Sequence, residues 1–194
     1  MPVPVRVRLE SVYIQMRIKV STELYTKELL SLSKGFSSGN KFLDDFIMSE
    51  DALNDGLGKT FVWIDEKRTH IIGYYNIAVG YIDMYNGDEK YKIGGSVHLN
   101  FFALNEKYRG IVIGQTDDGM QVKISDQLFG DFMNKVYELR NKFIGFSFVT
   151  LAATEEGYSL YKRNYFDDLD EDLHFSFKDD EKGCKPMYLA LDLE

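Results

Sequence analysis

The stretch VHLNFFAL (Val97–Leu104), running into NEKYRGIVIG (Asn105–Gly114), decides how the rest of the chain is read. Its first half is an apolar run bounded by polar residues, which reads as a buried strand. Its second half is a loop bearing Arg109 and glycines at 110 and 114. A strand, a glycine-bearing loop and a helix in succession can gather free backbone N–H groups around a phosphate. Loops of that kind follow many strands, so the downstream sequence carries the weight.

Bulk properties narrow the classes. With 194 residues the chain can bury one good core, and residues 1–194 read as a single domain. The 44% hydrophobic and 28% charged residues fit a soluble globular protein, and 14 Phe with 13 Tyr suggest a core built on rings. Charged residues interrupt every apolar run before the roughly 18–20 residues of a membrane span, so no membrane is expected. The N-terminal MPVPVRVR lacks a signal peptide's apolar centre, and Cys184 is the sole cysteine, which excludes an internal disulfide. A cytoplasmic location is expected. Three histidines and one cysteine leave no metal-ligand cluster to propose. The formal charge of −8 opposes non-specific nucleic-acid binding and favours a cationic or neutral small partner.

Along the chain, residues 3–20 alternate apolar and polar with a phase flip near Glu10, which predicts an edge strand with a bulge. A short helix is expected over 21–33, capped by Ser21 or Thr22, then a turn at 36–40 and a helix over 41–54. Residues 59–65 and 70–79 read as a hairpin, 81–95 as a polar, Gly-rich loop, and 96–104 as the opening strand. Ser125 or Asp126 could cap a helix to 142, with Leu128, Phe132, Val136, Leu139 and Phe143 on one face. A strand over 146–152, a helix over 154–162 and closing strands ending at Phe177 and Leu193 complete the order βααβββαβαββ. This is an α/β (α+β) domain on a mixed sheet.

That order, with three blocks, resembles the GNAT superfamily of acyl-CoA-dependent N-acetyltransferases over roughly residues 12–193. FSSGNKFLDDF (36–46) is similar to the Phe-x-(Cys/Ser)-Gly-x-x-x-Leu-Asp-x-Phe block of one branch. Phe102–Leu104 with Arg109–Gly114 is similar to the family's fourth strand and its Arg/Gln-x-x-Gly-x-Gly/Ala pyrophosphate loop. GYSLYKRNYF (157–166) is similar to the helix that carries the family's tyrosine. The resemblance implies a mostly antiparallel central sheet flanked by helices and splayed at the fourth strand. Two departures stand out. Val112 occupies the first motif glycine's place, and Gln115–Ile124 separates the loop from the helix, bringing in Asp117 and Asp118.

The resemblance also assigns roles. Acetyl-CoA, as co-substrate and with no metal, would be held by Phe102, Ala103, Leu104, Arg109, Gly110, Ile111, Val112, Ile113 and Gly114. Thr154 adds a cofactor contact, although a helix N-cap explains it equally well. Tyr161 falls on the general-acid position, a phenol with a reference pKa of about 10. Tyr158, Tyr161 and Tyr165 could instead form a core stripe. His98 falls where several members place a general base, and an imidazole near ~6.5 suits neutral pH. A satisfied half-buried histidine is the competing account, and His70 and His174 read as structural. Cys184 lies outside these blocks, so direct attack in a ternary complex is expected rather than an acyl-cysteine route. The acidic run 167–172 could recruit an amine, or simply solvate a loop.

The implied activity is transfer of an acetyl group to a primary amine on a small molecule, peptide or protein, with nucleic acid disfavoured and a homodimer allowed. Two alternatives compete with it. The 36–46 block also resembles a branch of toxins that acetylate aminoacyl-tRNA and pair with antitoxins. Val112 and the 115–124 insertion suggest instead a degenerate, non-catalytic interaction protein.

Overall fold

A computed structural model describes residues 13–14, 19–87, 89–175 and 183–191. Two compact units divide the chain, Met1–Asn76 with Phe101–Lys135, and Ile77–Asn100 with Val136–Glu194. The expected alternation before residue 13, and the strand ends at Phe177 and Leu193, lie outside the described residues.

In the first unit, β1 (Tyr13–Ile14) and β2 (Val20–Leu24) precede α1 (Leu30–Ser33) and α2 (Lys41–Met48). β3 (Lys59–Asp65), the start of β4 (Ile71–Asn86), the end of β5 (Glu89–Leu104), β6 (Val112–Gln115), β7 (Gln121–Lys123) and most of α3 (Ile124–Lys142) complete it. The first four residues of the helix expected over 21–33 are therefore strand, and its later part is helical. Val20–Leu24 pairs antiparallel with Asp65–Phe61, and helical structure begins only at Lys27. Ser-Thr next to a β3 partner finds its backbone bonds in the sheet, which overrides the local capping signal. The helix expected over 41–54 stops at Met48, and 3-10 turns follow. Ser49 and Asn54 accept hydrogen bonds from the N–H groups of Asp51 and Gly56, and so break the helix.

The core of this unit packs Phe46, Ile47, Val62, Ile64, Ile71, Tyr74 and Ala103 together. The Phe46 and Phe101 rings stack with centroids 3.7 Å apart. Gly73 is required by packing, since a Cβ there would lie 2.7 Å from Leu128 Cδ2 and 3.0 Å from the Ala103 carbonyl. Helix α3 is thereby set directly on the β4 backbone.

The second unit holds the rest of β4 and β5, the end of α3, β8 (Phe148–Ala153), α4 (Glu155–Arg163), β9 (Asp167–Asp168), β10 (Leu173–Phe175) and β11 (Lys185–Ala190). Residues 81–95, expected as a loop, are the two arms of a long hairpin. β4 ends at Asn86 and β5 begins at Glu89, with Gly87 at φ +62° between them. β10 pairs with Ile82–Met84, and β11 pairs with β8 and β9, all antiparallel. β5 pairs parallel with β8 only over Ser96–Leu99 and Phe148–Leu151; the ladder ends five residues before β5 does. Phe143, expected on the buried face of α3, is 72% exposed because the helix ends at Lys142.

Strand pairing gives the order β2-β3-β4-β5-β8-β11-β9 with β10 beside β4, and a separate sheet β1-β6-β7. The result is a mixed, mostly antiparallel open sheet with four helices. No helix among the described residues is long and apolar enough to cross a membrane.

Candidate functional site

In the first unit, the 36–46 block folds as a closed turn leading into α2. Asn40 caps the helix by accepting from Phe42 N–H at 3.0 Å. The backbone N–H and the hydroxyl of Ser38 both donate to Asp44 Oδ1, at 2.7 and 2.6 Å. The loop after β5 is tied to this turn at two points. Glu106 N–H donates to the Ser37 carbonyl at 2.8 Å, and the Arg109 guanidinium donates to the Ser38 carbonyl. Gly39 turns at φ +80°, a backbone conformation that favours glycine. The motif arginine thus spends one of its five N–H donors on a backbone carbonyl.

The same loop is held from its other side. Tyr108 OH lies 2.5 Å from His70 Nε2, and the rings stack at 5.9 Å. His70 Nδ1 lies 3.3 Å from Asp65 Oδ1 and 2.9 Å from the Thr69 hydroxyl. His70 thus lies between the Asp65 carboxylate and the Tyr108 phenol. Burial would push the Asp65 carboxyl up. Hydrogen bonds from the His70 and Thr69 N–H groups and the Thr69 hydroxyl, with the His70 charge, outweigh it and hold it down at about 2. His70, expected to be structural, ties the β3–β4 turn to Tyr108.

The loop expected at 109–114 is partly strand. Gly110 turns at φ +73°, after which Val112–Gln115 forms the middle strand between β1 and β7. Gly114 faces Ile14 on one side and Val122 on the other. A middle strand directs its backbone groups at its neighbours. The insertion is a β-hairpin whose tip is pinned by Thr116, bonded to Asp118 and to Met120. Helix α3 starts at Ile124, whose N–H donates to the Ile111 carbonyl at 3.1 Å, and Asp126 accepts from Lys123 N–H at 2.8 Å. Of the strand residues, Ala103 is buried, while Phe102 and Leu104 are half-buried. Phe102 lies edge-on to Phe129 of α3.

Three expected site residues belong to the second unit. His98 is buried, its Nδ1 2.8 Å from Thr150 Oγ1, and burial pulls its pKa down to about 4. Thr154 is the N-cap of α4, its hydroxyl accepting from Gly157 N–H at 3.2 Å. Tyr161 is buried on α4, and burial, with the Cys184 thiol adding to it, pushes its phenol well above its ordinary pKa. Gly157 makes room for that ring, since a Cβ there would lie 3.1 Å from Tyr161 Cε2. The three tyrosines do not form a core stripe. Tyr158 OH donates to Asp168 at 2.8 Å, and Tyr165 is 63% exposed. Asp168 also receives Lys185 at 3.2 Å, so part of the acidic run is structural.

Sequence reasoning missed the Asp65–His70–Tyr108 cluster, the Asp44 clasp on Ser38, and the electrostatic coupling of Cys184 to Tyr161. The Asp44 clasp had a signal in the Ser-Gly-x-x-x-Leu-Asp spacing. The other two join distant segments and had none.

No family model matches the sequence, and no curated protein matches it. Solved structures do match the fold. One described as a bacterial toxin aligns with a TM-score of 0.66 at 19% identity, over 90% of this chain and 92% of its own. AtaTR bound with AcCoA aligns with a TM-score of 0.66 at 16% identity, over 89% and 94%. AtaT complexed with acetyl-methionyl-tRNAfMet aligns with a TM-score of 0.62 at 17% identity, over 81% and 94%. The chain therefore shares the fold of these structures, a GNAT-like fold.

Proposed function

We propose that the chain is an acetyl-CoA-dependent N-acetyltransferase whose acceptor is an α-amine carried on RNA, as in aminoacyl-tRNA. The observation that carries this reading is a fold shared over about nine tenths of both chains with AtaTR bound with AcCoA. In it, Phe102–Leu104 and Arg109–Ile111 contribute to holding the cofactor, and Tyr161 serves the leaving sulfur.

The phenol's raised pKa defines what Tyr161 does. It stays protonated at any physiological pH and so presents a hydrogen-bond donor to a developing thiolate. A thiol near ~8.5 is the stronger acid, so the thiolate does not strip that proton, and the net proton comes from the attacking ammonium. The acceptor's own acidity therefore matters. His98, at about 4, is too weak a base to deprotonate a lysine ammonium near ~10.4. An α-amine near ~7.7–8.0 is partly neutral at pH 7 and needs no strong base. Acceptors of the α-amino kind fit that constraint better than lysine side chains do, which favours the aminoacyl reading over the small-amine one. The −8 charge weighs against RNA, so affinity would draw little on phosphate contacts.

The β6–β7 hairpin in place of an open phosphate loop supports a second reading, a non-catalytic GNAT-fold interaction protein. Calorimetry with acetyl-CoA separates the two, since absence of binding at millimolar ligand leaves only the second. Given binding, an aminoacyl-tRNA should be acetylated far faster than the free amino acid. Tyr161→Phe should then lower turnover at least 10-fold with little change in acetyl-CoA affinity. Equal turnover in that variant removes Tyr161 from the chemistry.

A further inference from the structure

Helix α4 ends in a conformation that its sequence should avoid. Among the described residues only Arg68 and Tyr165 are non-glycine residues with positive φ, and Tyr165 sits at φ +67°. It occupies the first position after the Asn164 C-cap, where helices commonly turn left-handed and where glycine is the strain-free residue. The turn is fixed from both ends. Tyr165 N–H donates to the Lys162 carbonyl and Phe166 N–H to the Tyr161 carbonyl, both at 3.1 Å. Asn164 Nδ2 donates to the Leu160 carbonyl at 2.8 Å. Beyond it, Phe166 is fully buried with its ring 5.9 Å from that of Tyr161, and Asp167 pairs with Tyr188. The backbone at 165 therefore has no freedom to relax.

Packing offers the side chain little compensation, because 63% of Tyr165 is exposed. A bulky ring is thus held in solvent, on a strained backbone, four residues along the chain from Tyr161. Strain that packing does not explain points to a use for the side chain.

We propose that Tyr165 is a stacking platform for an unpaired nucleobase of the RNA that bears the acceptor amine. This rests on the acceptor class proposed above and adds the contact by which it is recognised. Stacking suits this chain because it draws on a π-face rather than on charge, and so operates despite a net charge of −8. The neighbouring cations add little. Lys162 is already shared with Asp167 and Asp168 at 3.6 and 3.9 Å.

The test uses the whole protein and a fluorescently labelled single-stranded oligoribonucleotide, read by anisotropy without acetyl-CoA, so it is independent of acetyl transfer. Tyr165→Gly and Tyr165→Ala should each weaken binding about 5- to 100-fold, while Tyr165→Trp retains it. With Lys162 and Arg163 as the cations nearest in sequence, the slope of log affinity against log salt should be no steeper than about −1.4. Thermal unfolding supplies the second arm. Tyr165→Gly should raise Tm by about 2 °C by relieving the left-handed strain, and Tyr165→Ala should not. Equal binding by wild type and all three variants overturns the proposal, as does a fall in Tm for the glycine variant, which would mean that the ring serves the fold. A loss confined to a peptide acceptor, with RNA binding unchanged, would place protein rather than RNA on the ring and overturn it equally. Normal RNA binding without acetyl transfer would sink the transferase reading and leave the stacking site standing.

Discussion

The turn between β3 and β4 should make folding stability depend on pH through one carboxylate. Asp65 accepts from four donors in that turn: the N–H groups of Lys67, Thr69 and His70 at 3.2, 2.7 and 2.8 Å, and the Thr69 hydroxyl at 2.9 Å. Its side chain is 16% exposed, so solvent screens these contacts little. A carboxyl lowered from 3.8 to about 2 contributes about 2 kcal/mol at neutral pH, at ~1.36 kcal/mol per tenfold in proton affinity. Because the folded value lies below the unfolded one, this contribution is complete above about pH 4 and disappears as pH falls through about 2. Roughly half remains at pH 3. Asp65→Asn keeps the shape and removes the charge, so its stability deficit should shrink by about 1 kcal/mol between pH 7 and pH 3. Urea unfolding followed by circular dichroism, wild type against variant at each pH, cancels every other titrating group. A deficit that stays constant from pH 7 to pH 3 would refute the assignment.

Two further perturbations probe the frame around the site. Gly73→Ala should destabilise by about 1–3 kcal/mol, because its Cβ would overlap Leu128 and crowd the Ala103 carbonyl; an unchanged urea midpoint would show that α3 is not seated on β4. His98 is buried neutral, with its folded pKa of about 4 below the unfolded 6.5, so its contribution to stability is present above pH 6.5 and is lost toward pH 4. His98→Gln should flatten the stability profile across that window, and a pH–rate profile that keeps its acidic limb in this variant would exclude His98 as the proton acceptor.

Much of the fold was legible because its signals are local. Helix α4 announced itself through the Thr154 cap and the 157–166 block, and the end of β5 through the apolar run to Leu104. The misreadings came where tertiary pairing outweighs local chemistry. Ser21-Thr22 looks like a helix cap, yet its backbone belongs to the β2–β3 ladder. Residues 81–95 look polar enough for a loop, yet they belong to the neighbouring strands β4 and β5. The site was legible by residue type and not by use. Arg109 matched a motif, but its bond to Ser38 depends on a turn some seventy positions away, which no window of sequence contains.

That bond bears on how a cofactor would be held. In the motif that Arg109–Gly114 resembles, the loop itself turns its amides toward a pyrophosphate. Here residues 112–115 are fixed as a middle strand, while the preceding segment is braced by Ser37 and Ser38 on one side and by His70 on the other. A segment braced at Glu106, Tyr108 and Arg109 loses little further conformational freedom when a ligand binds, so whatever affinity it offers is not spent on ordering the chain. The bracing also makes Asp44 a positioning residue, because it closes the turn whose carbonyl Arg109 holds. On the transferase reading, this rigidity would stand in for the missing motif glycine at position 112, and the 36–46 block would be part of the cofactor's support rather than a separate signature.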